Sequence, residues 1–264
     1  MRRFLFTVTL AVLSIPMSGA AQNAFNGTWK IDVNKANFSN KPDVLVLAGG
    51  MFECETCTPA IKVEADGTDQ PISDDPYRDT VAITVVDDHT IKEIDKKGGN
   101  IVGTSTMTVS EDGETMTGTF SDSSNTNGGP PITGEGTETR VAAGPPGSHA
   151  VSGSWKMNKV DNLSDNAIVW TYSISGNQIT MTSRTGQTYT AKLDGTDAPM
   201  VGDPGTTSVS VRMLGKNTLV ETDKRGDKVI NVWTMTVGAD GATAKGINED
   251  KLSNRTSEFV VMKQ

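Results

Sequence analysis

"VEADGTDQPI" (residues 63–72) returns as "AKLDGTDAPM" (residues 191–200). Sliding the chain by 128 positions lays residues 66–122 on 194–250 without a gap, and 22 of those 57 positions are identical. Within that span "TMTVSEDGETMTG" answers "TMTVGADGATAKG", and "IKEIDKKGGNIV" answers "LVETDKRGDKVI". Upstream, "FNGTWKID" (25–32) answers "VSGSWKMN" (151–158) at an offset of 126. A repeat of this length exceeds the units of about 20–50 residues that stack into solenoids, and it is long enough to enclose its own core. The reading is therefore two tandem domains of one fold.

Each copy is a series of short alternating segments. In "TVAITVV", Val81, Ile83 and Val85 share one face and Thr80 and Thr84 the other; in "SVSVRML" the matching apolar set is Val209, Val211 and Met213. Period-two alternation predicts strands with one dry and one wet face. Turn signals at Gly98-Gly99, Asp112-Gly113, Gly176-Asn177, Gly226-Asp227 and Asp240-Gly241 separate the segments. No amphipathic helical stretch of useful length is present after the leader. The expected fold is all-β: two tandem antiparallel up-and-down barrels of roughly eight strands each, with two β-sandwiches as the alternative. An outer-membrane barrel is excluded because the wet faces carry Thr, Ser and charged residues where lipid demands an apolar band.

The opening "MRRFLFTVTLAVLSIPMSGAAQ" has a positive end, a short apolar run and small residues at a cleavage point. It reads as a signal peptide over residues 1–21, too short to span a membrane, with no nearby cysteine for a lipid anchor. The mature chain is expected to be secreted or periplasmic. Its first repeat covers residues 22–143, a Gly/Pro linker 144–150 and the second repeat 151–264. "SDSSNTNGGPPITG" (121–134) has no length match in the second copy and reads as a surface loop of the first domain. The net charge of -8 excludes a nucleic-acid partner, which needs a basic face.

Gly27-Thr28-Trp29 and Gly153-Ser154-Trp155 resemble the opening Gly-x-Trp motif of lipocalins. The resemblance implies barrels each closed at one end by a Trp, with a basic side chain from the last strand across its ring. Arg140 would serve Trp29, and only Arg255 or Lys263 could serve Trp155. The chain is also similar to exported two-repeat bacterial proteins with lipocalin-like domains, sharing "KPDVLVL", "DGTDQP", "DDHTI" and "GDPGTTSVSV". That likeness implies fold and export, and a small apolar or amphipathic ligand as the implied partner.

The chemistry-bearing residues are few. Cys54 and Cys57, the only cysteines, are expected to form a local disulfide after export. Glu53 and Glu55 beside them oppose the lowered thiol pKa that redox catalysis needs. His89, replaced by Asn217 in the second copy, reads as a turn residue, and His149 lies in the linker. No Gly-x-Ser-x-Gly elbow, metal-ligand spacing or phosphate loop is present, so no cofactor or metal is expected and an enzyme ranks behind the other readings. One strand face differs between copies: Gly103, Ser105 and Met107 against Asn231, Trp233 and Met235. If it points inward, the first barrel keeps a ligand cavity at Gly103, Ser105 and Met107 while Asn231 and Trp233 plug the second. The alternative function is a structural or interaction module of the cell envelope without a ligand.

Overall fold

The computed structural model describes residues 23–264, so the expected leader at 1–21 lies outside the described residues. The described residues form twenty strands and one short helix. The first ten strands are β1 Gly27–Asn37, β2 Asp43–Ala48, β3 Met51–Cys54, β4 Ile61–Glu64, β5 Gln70–Pro71, β6 Thr80–Val85, β7 Thr90–Lys97, β8 Asn100–Val109, β9 Thr115–Asp122 and β10 Ile132–Ala143. Then come β11 Gly153–Leu163, α1 Asp165–Ile168, β12 Val169–Ser175, β13 Gln178–Ser183, β14 Thr188–Lys192, β15 Asp194–Pro199, β16 Ser208–Met213, β17 Thr218–Arg225, β18 Lys228–Val237, β19 Thr243–Asp250 and β20 Arg255–Lys263. They make two ten-stranded antiparallel sheets, each curled into a nearly closed barrel around its own core. Ten strands per barrel replace the eight expected, and the sandwich alternative is set aside.

The repeated DGTD stretch lies at the seam of each barrel. In the sheet orders β4 and β5 are the two ends of one sheet, and β14 and β15 the two ends of the other. Asp66 Oδ1 accepts from the Thr68 amide at 2.8 Å, and Asp194 Oδ1 from the Thr196 amide at 2.9 Å. Gly67 and Gly195 sit at φ +80° and +87°, a conformation that excludes a β-carbon at little cost only for glycine. The second acid of each motif reaches over the neighbouring strand on its own side of the seam: Asp69 pairs with Lys96 of β7 at 2.6 Å and Asp197 with Lys224 of β17 at 2.7 Å. In the second barrel a single bridge, Thr188 to Val201, spans the seam, while Asp66 to Thr84 extends the pairing of β5 with β6.

The two barrels do not coincide with the two repeats. β1 lies between β12 and β20 in the second barrel, and β11 lies between β2 and β10 in the first. Each copy lends its opening strand to the other. Residues 22–143 and 151–264 therefore divide the repeats but not the barrels. Residues 144–150, expected as an interdomain linker, instead connect the hairpin of β10 and β11 within one sheet. The chain crosses between barrels at 38–42 and 164–168, where Arg255 Nη2 donates to Asp43 at 2.6 Å.

The exchange corrects the expected partner of Arg140. Its guanidinium lies over Trp155 at 4.1 Å from the ring centroid, and Lys263 Nζ lies over Trp29 at 4.8 Å. Both indoles are fully buried, and each donates Nε1 to the carbonyl four residues back: Trp29 to Phe25 at 2.7 Å, Trp155 to Val151 at 2.8 Å. Arg140 also donates to the carbonyls of Gly113, Ser152 and Ala150, whereas Lys263 donates to Ala24 alone. On the outer face, threonines pair across strands, as at Thr28–Thr171, Thr90–Thr108 and Thr180–Thr190, which accounts for the threonine-rich wet faces.

Arg140→Ala should therefore destabilise the protein by about 2–4 kcal/mol, more than Lys263→Ala at about 1–2 kcal/mol, in urea unfolding midpoints. The exchange has its own test. Thr28 pairs with Thr171, so T28C/T171C should oxidise to a cross-link found by non-reducing peptide mapping, while T28C/V44C stays reduced. The opposite pattern would show each repeat keeping its own first strand.

Candidate ligand-binding site in the second barrel

Inward-facing positions on β17 and β18 carry polar groups where a closed core would carry aliphatic ones. Leu219 faces Met235 across the ladder, but the next pairs are Glu221–Trp233 and Asp223–Asn231. Two tyrosines enter from neighbouring walls, Tyr172 on β12 and Tyr189 on β14. Tyr172 Oη donates to Glu221 Oε2 at 3.3 Å, and Tyr189 Oη donates to the same oxygen. Glu221 is 7% exposed. Asn231 Nδ2 donates to Asp223 Oδ2 at 3.1 Å.

Tyr172, Glu221, Asp223, Asn231 and Trp233 line a cavity of about 470 Å³. Ile31 of the exchanged strand, Met181, Met200 and Phe259 supply apolar wall, and Trp170 and Trp233 meet edge to face with centroids 5.9 Å apart. The 121–134 segment, expected as a surface loop of the first domain, contributes Asn125 and Ile132 to the lining. Gln187 Nε2 donates to the Asn125 carbonyl at 2.7 Å, and Asn127 Nδ2 donates to the Thr185 and Gly202 carbonyls, both at 2.9 Å. One repeat thus borders the mouth of the other's barrel.

Among the described residues the buried Trp170 Nε1 has no hydrogen-bond partner, and Asp223 Oδ1 has none beyond the neighbouring Glu221 carboxyl, which can donate to Asp223 when protonated. Burial pushes the Glu221 carboxyl up to about 8, with Asp223 beside it adding to the rise while the tyrosine hydroxyls oppose it. Burial likewise raises Asp223 to about 6. Both tyrosine hydroxyls are held well above their ordinary range, by burial first and then by the Glu221 charge.

The cavity contradicts the expectation that Asn231 and Trp233 plug the second barrel. They do point inward, but they form its wall. Gly103, Ser105 and Met107 also face inward, on β8, and line a polar cavity of about 370 Å³ in the first barrel. Ser105 and Met107 border a second cleft there of about 350 Å³, and Phe120 lines both. That phenylalanine stands where the second copy has Asn248. The apolar cleft holds Glu138, whose buried Oε2 lacks a partner and whose carboxyl burial pushes up to about 7.

The other sequence candidates fall in place without chemistry. Cys54 and Cys57 are joined as a disulfide. His89 Nδ1 meets the Val109 carbonyl at 3.1 Å, and Asn217 Nδ2 donates to the Val237 carbonyl at 3.1 Å, so the two residues do one job. Among the described residues no group of three or more His, Cys, Asp or Glu is placed to hold a metal ion, and no helix is long and apolar enough to cross a membrane. No protein-family model matches the chain, and no curated protein aligns with it.

The buried acids were visible in the sequence as Glu-x-Asp on the dry face of a strand in both copies, "KEID" and "VETD". In the folded state Glu221 holds its proton to higher pH than in the unfolded chain, as do Asp223, Glu93 and Glu138. Their contribution is full below the ordinary carboxylate range and is lost as pH rises toward 8. Urea-derived stability should fall from pH 5 to 8, by up to about 1.4 kcal/mol per pH unit for each such group. Glu221→Gln should flatten that fall. A wild-type profile that climbs toward pH 8 would contradict the burial of these acids.

Proposed function

We propose that this chain is an exported, lipocalin-like binding protein that holds a small amphipathic molecule inside its second barrel. One observation carries the reading: the cavity of about 470 Å³ gathers Glu221, Asp223 and Asn231 among mainly apolar wall residues, on strands where a closed core would carry aliphatic ones. The volume lies in the range of small-molecule sites, and the wall is mainly apolar with a few convergent polar groups. The two basic side chains over Trp29 and Trp155 support the lipocalin likeness. The first barrel's apolar cleft, with Glu138 unpaired, favours a second and smaller binding place at the Ser105–Met107 wall.

Fatty acids, quinones, hopanoids and pigments should be screened by thermal melting together with tryptophan emission. A ligand in the second barrel should raise the melting temperature and shift the emission, because Trp170 and Trp233 line that cavity while Trp29 and Trp155 are sealed under Lys263 and Arg140. Stabilisation with unchanged emission would move the site to the first barrel. No stabilisation by any class would favour the envelope interaction module.

A further inference from the structure

The first barrel contains the same carboxylates as the second, already occupied. Arg78 Nη1 lies 2.7 Å from Glu93 Oε1 and 2.5 Å from Asp95 Oδ1, and its Nε lies 3.1 Å from Asp75 Oδ2. The repeat offset of 128 carries Asp75, Glu93 and Asp95 onto Asp203, Glu221 and Asp223, all lining the second cavity. The backbone confirms the register. Asp75 Oδ1 accepts from the Tyr77 amide at 2.8 Å, and Asp203 Oδ1 from the Gly205 amide at 2.7 Å. The residue at the position of Arg78 is Thr206, and among the described residues no Lys or Arg lines the second cavity.

The surroundings changed in step. A β-carbon on Gly103 would come within 2.8 Å of Asp95 Oδ2, so glycine there leaves room for the arginine cluster. The second copy has Asn231 at that position, donating to Asp223. Ladder register places Leu45 and Ile61 where the second barrel has Tyr172 and Tyr189. Three acids are thus shared, while the internal guanidinium that serves them exists in one barrel only.

We propose that the second barrel selects an organic cation, whose ammonium or guanidinium group takes the place that Arg78 fills in the first barrel. This rests on the ligand-binding reading and names its chemical class. Charge-assisted hydrogen bonds from the cation would reach Asp223 Oδ1 and Glu221, the shorter and stronger class of such bonds. Trp170, Trp233 and Phe259 offer ring faces to the cation and an apolar wall to the remainder of the molecule. A bare metal ion is disfavoured, since a hard divalent cation wants six or more oxygen ligands.

Burial keeps Glu221 protonated near neutrality, so an arriving cation must expel that proton. Asp223, Tyr172 and Tyr189 are the titratable groups facing it; Asp203, beyond Asp223, accepts from Tyr77 Oη at 2.9 Å, and Arg225 donates to the Gly205 carbonyl at 2.7 Å. Cation affinity should therefore rise with pH from 6 to 8, with proton release on binding.

Titration calorimetry of the full chain with decylammonium, decanol and decanoate separates head group from tail, because the amine stays charged throughout this range at a pKa of about 10. Decylammonium should bind at least about tenfold more tightly than decanol at pH 8, decanoate most weakly, and the advantage should shrink at pH 6. Glu221→Gln, close to isosteric, should abolish most of that preference, as should Thr206→Arg with Asn231→Gly, which rebuilds the first barrel's arrangement. Equal affinity for decanol and decylammonium, or a preference that survives Glu221→Gln, overturns the cation while leaving ligand binding in place. Failure of all three to bind or to shift tryptophan emission overturns both.

Discussion

A barrel has no free edge only if every strand finds two neighbours, and here neither half of the chain can meet that condition alone. β11 completes the first barrel and β1 the second, so the closure of each depends on a strand from the other repeat. The Trp, basic side chain and backbone carbonyls at each closed end then assemble from both halves as well. Arg140 belongs to the first repeat and its indole, Trp155, to the second; Lys263 and Trp29 reverse the relation. The separate elements of the architecture, from the crossovers at 38–42 and 164–168 to the loop beside the second cavity, follow from that one constraint.

Duplication without exchange would have let the two interiors diverge independently. Exchange ties them together, yet the interiors still differ in one position that matters electrostatically. Arg78 compensates three half-buried acids inside the first barrel, and Glu93 rises only to about 7, with burial and Asp95 raising it and the guanidinium opposing. Without an arginine, Glu221 rises to about 8 and leans on two tyrosine hydroxyls. Aromatic side chains, Trp170, Trp233 and Phe259, line the same cavity, so the second interior sets its acids beside aromatic wall. One barrel is internally balanced. The other is not.

Much of this was legible in residues and their spacing. The 128-residue offset, the alternating strands, the Gly-x-Trp openings, the DGTD turns and the Cys54–Cys57 link all depend on local chemistry that sequence records directly. The partner of each Trp was not legible, because β1 and β11 are similar enough in sequence to fit either barrel and only three-dimensional connection decides between them. The cavity of the second barrel was missed for a related reason. Gly103 against Asn231 suggested space in the first barrel, and a cavity of about 370 Å³ does lie there, bordered by Arg78, twenty-five positions away in the chain, and Phe120 across the ladder. Trp233 looked like a plug when read alone; packed edge to face against Trp170, it becomes a wall.

The exchange also imposes an order on how the chain can come together as it is made. The first barrel is complete once β11 has been synthesised at Leu163. β1, made long before, has no permanent neighbour until β12 follows, and its second neighbour, β20, is the last strand of all. Pairing across so many intervening residues is slow. In the interval the slot reserved for β11 stands open beside β2, and β1 carries the same Gly-x-Trp opening. The earliest strand is therefore a natural occupant of the wrong barrel, to be evicted when its twin emerges.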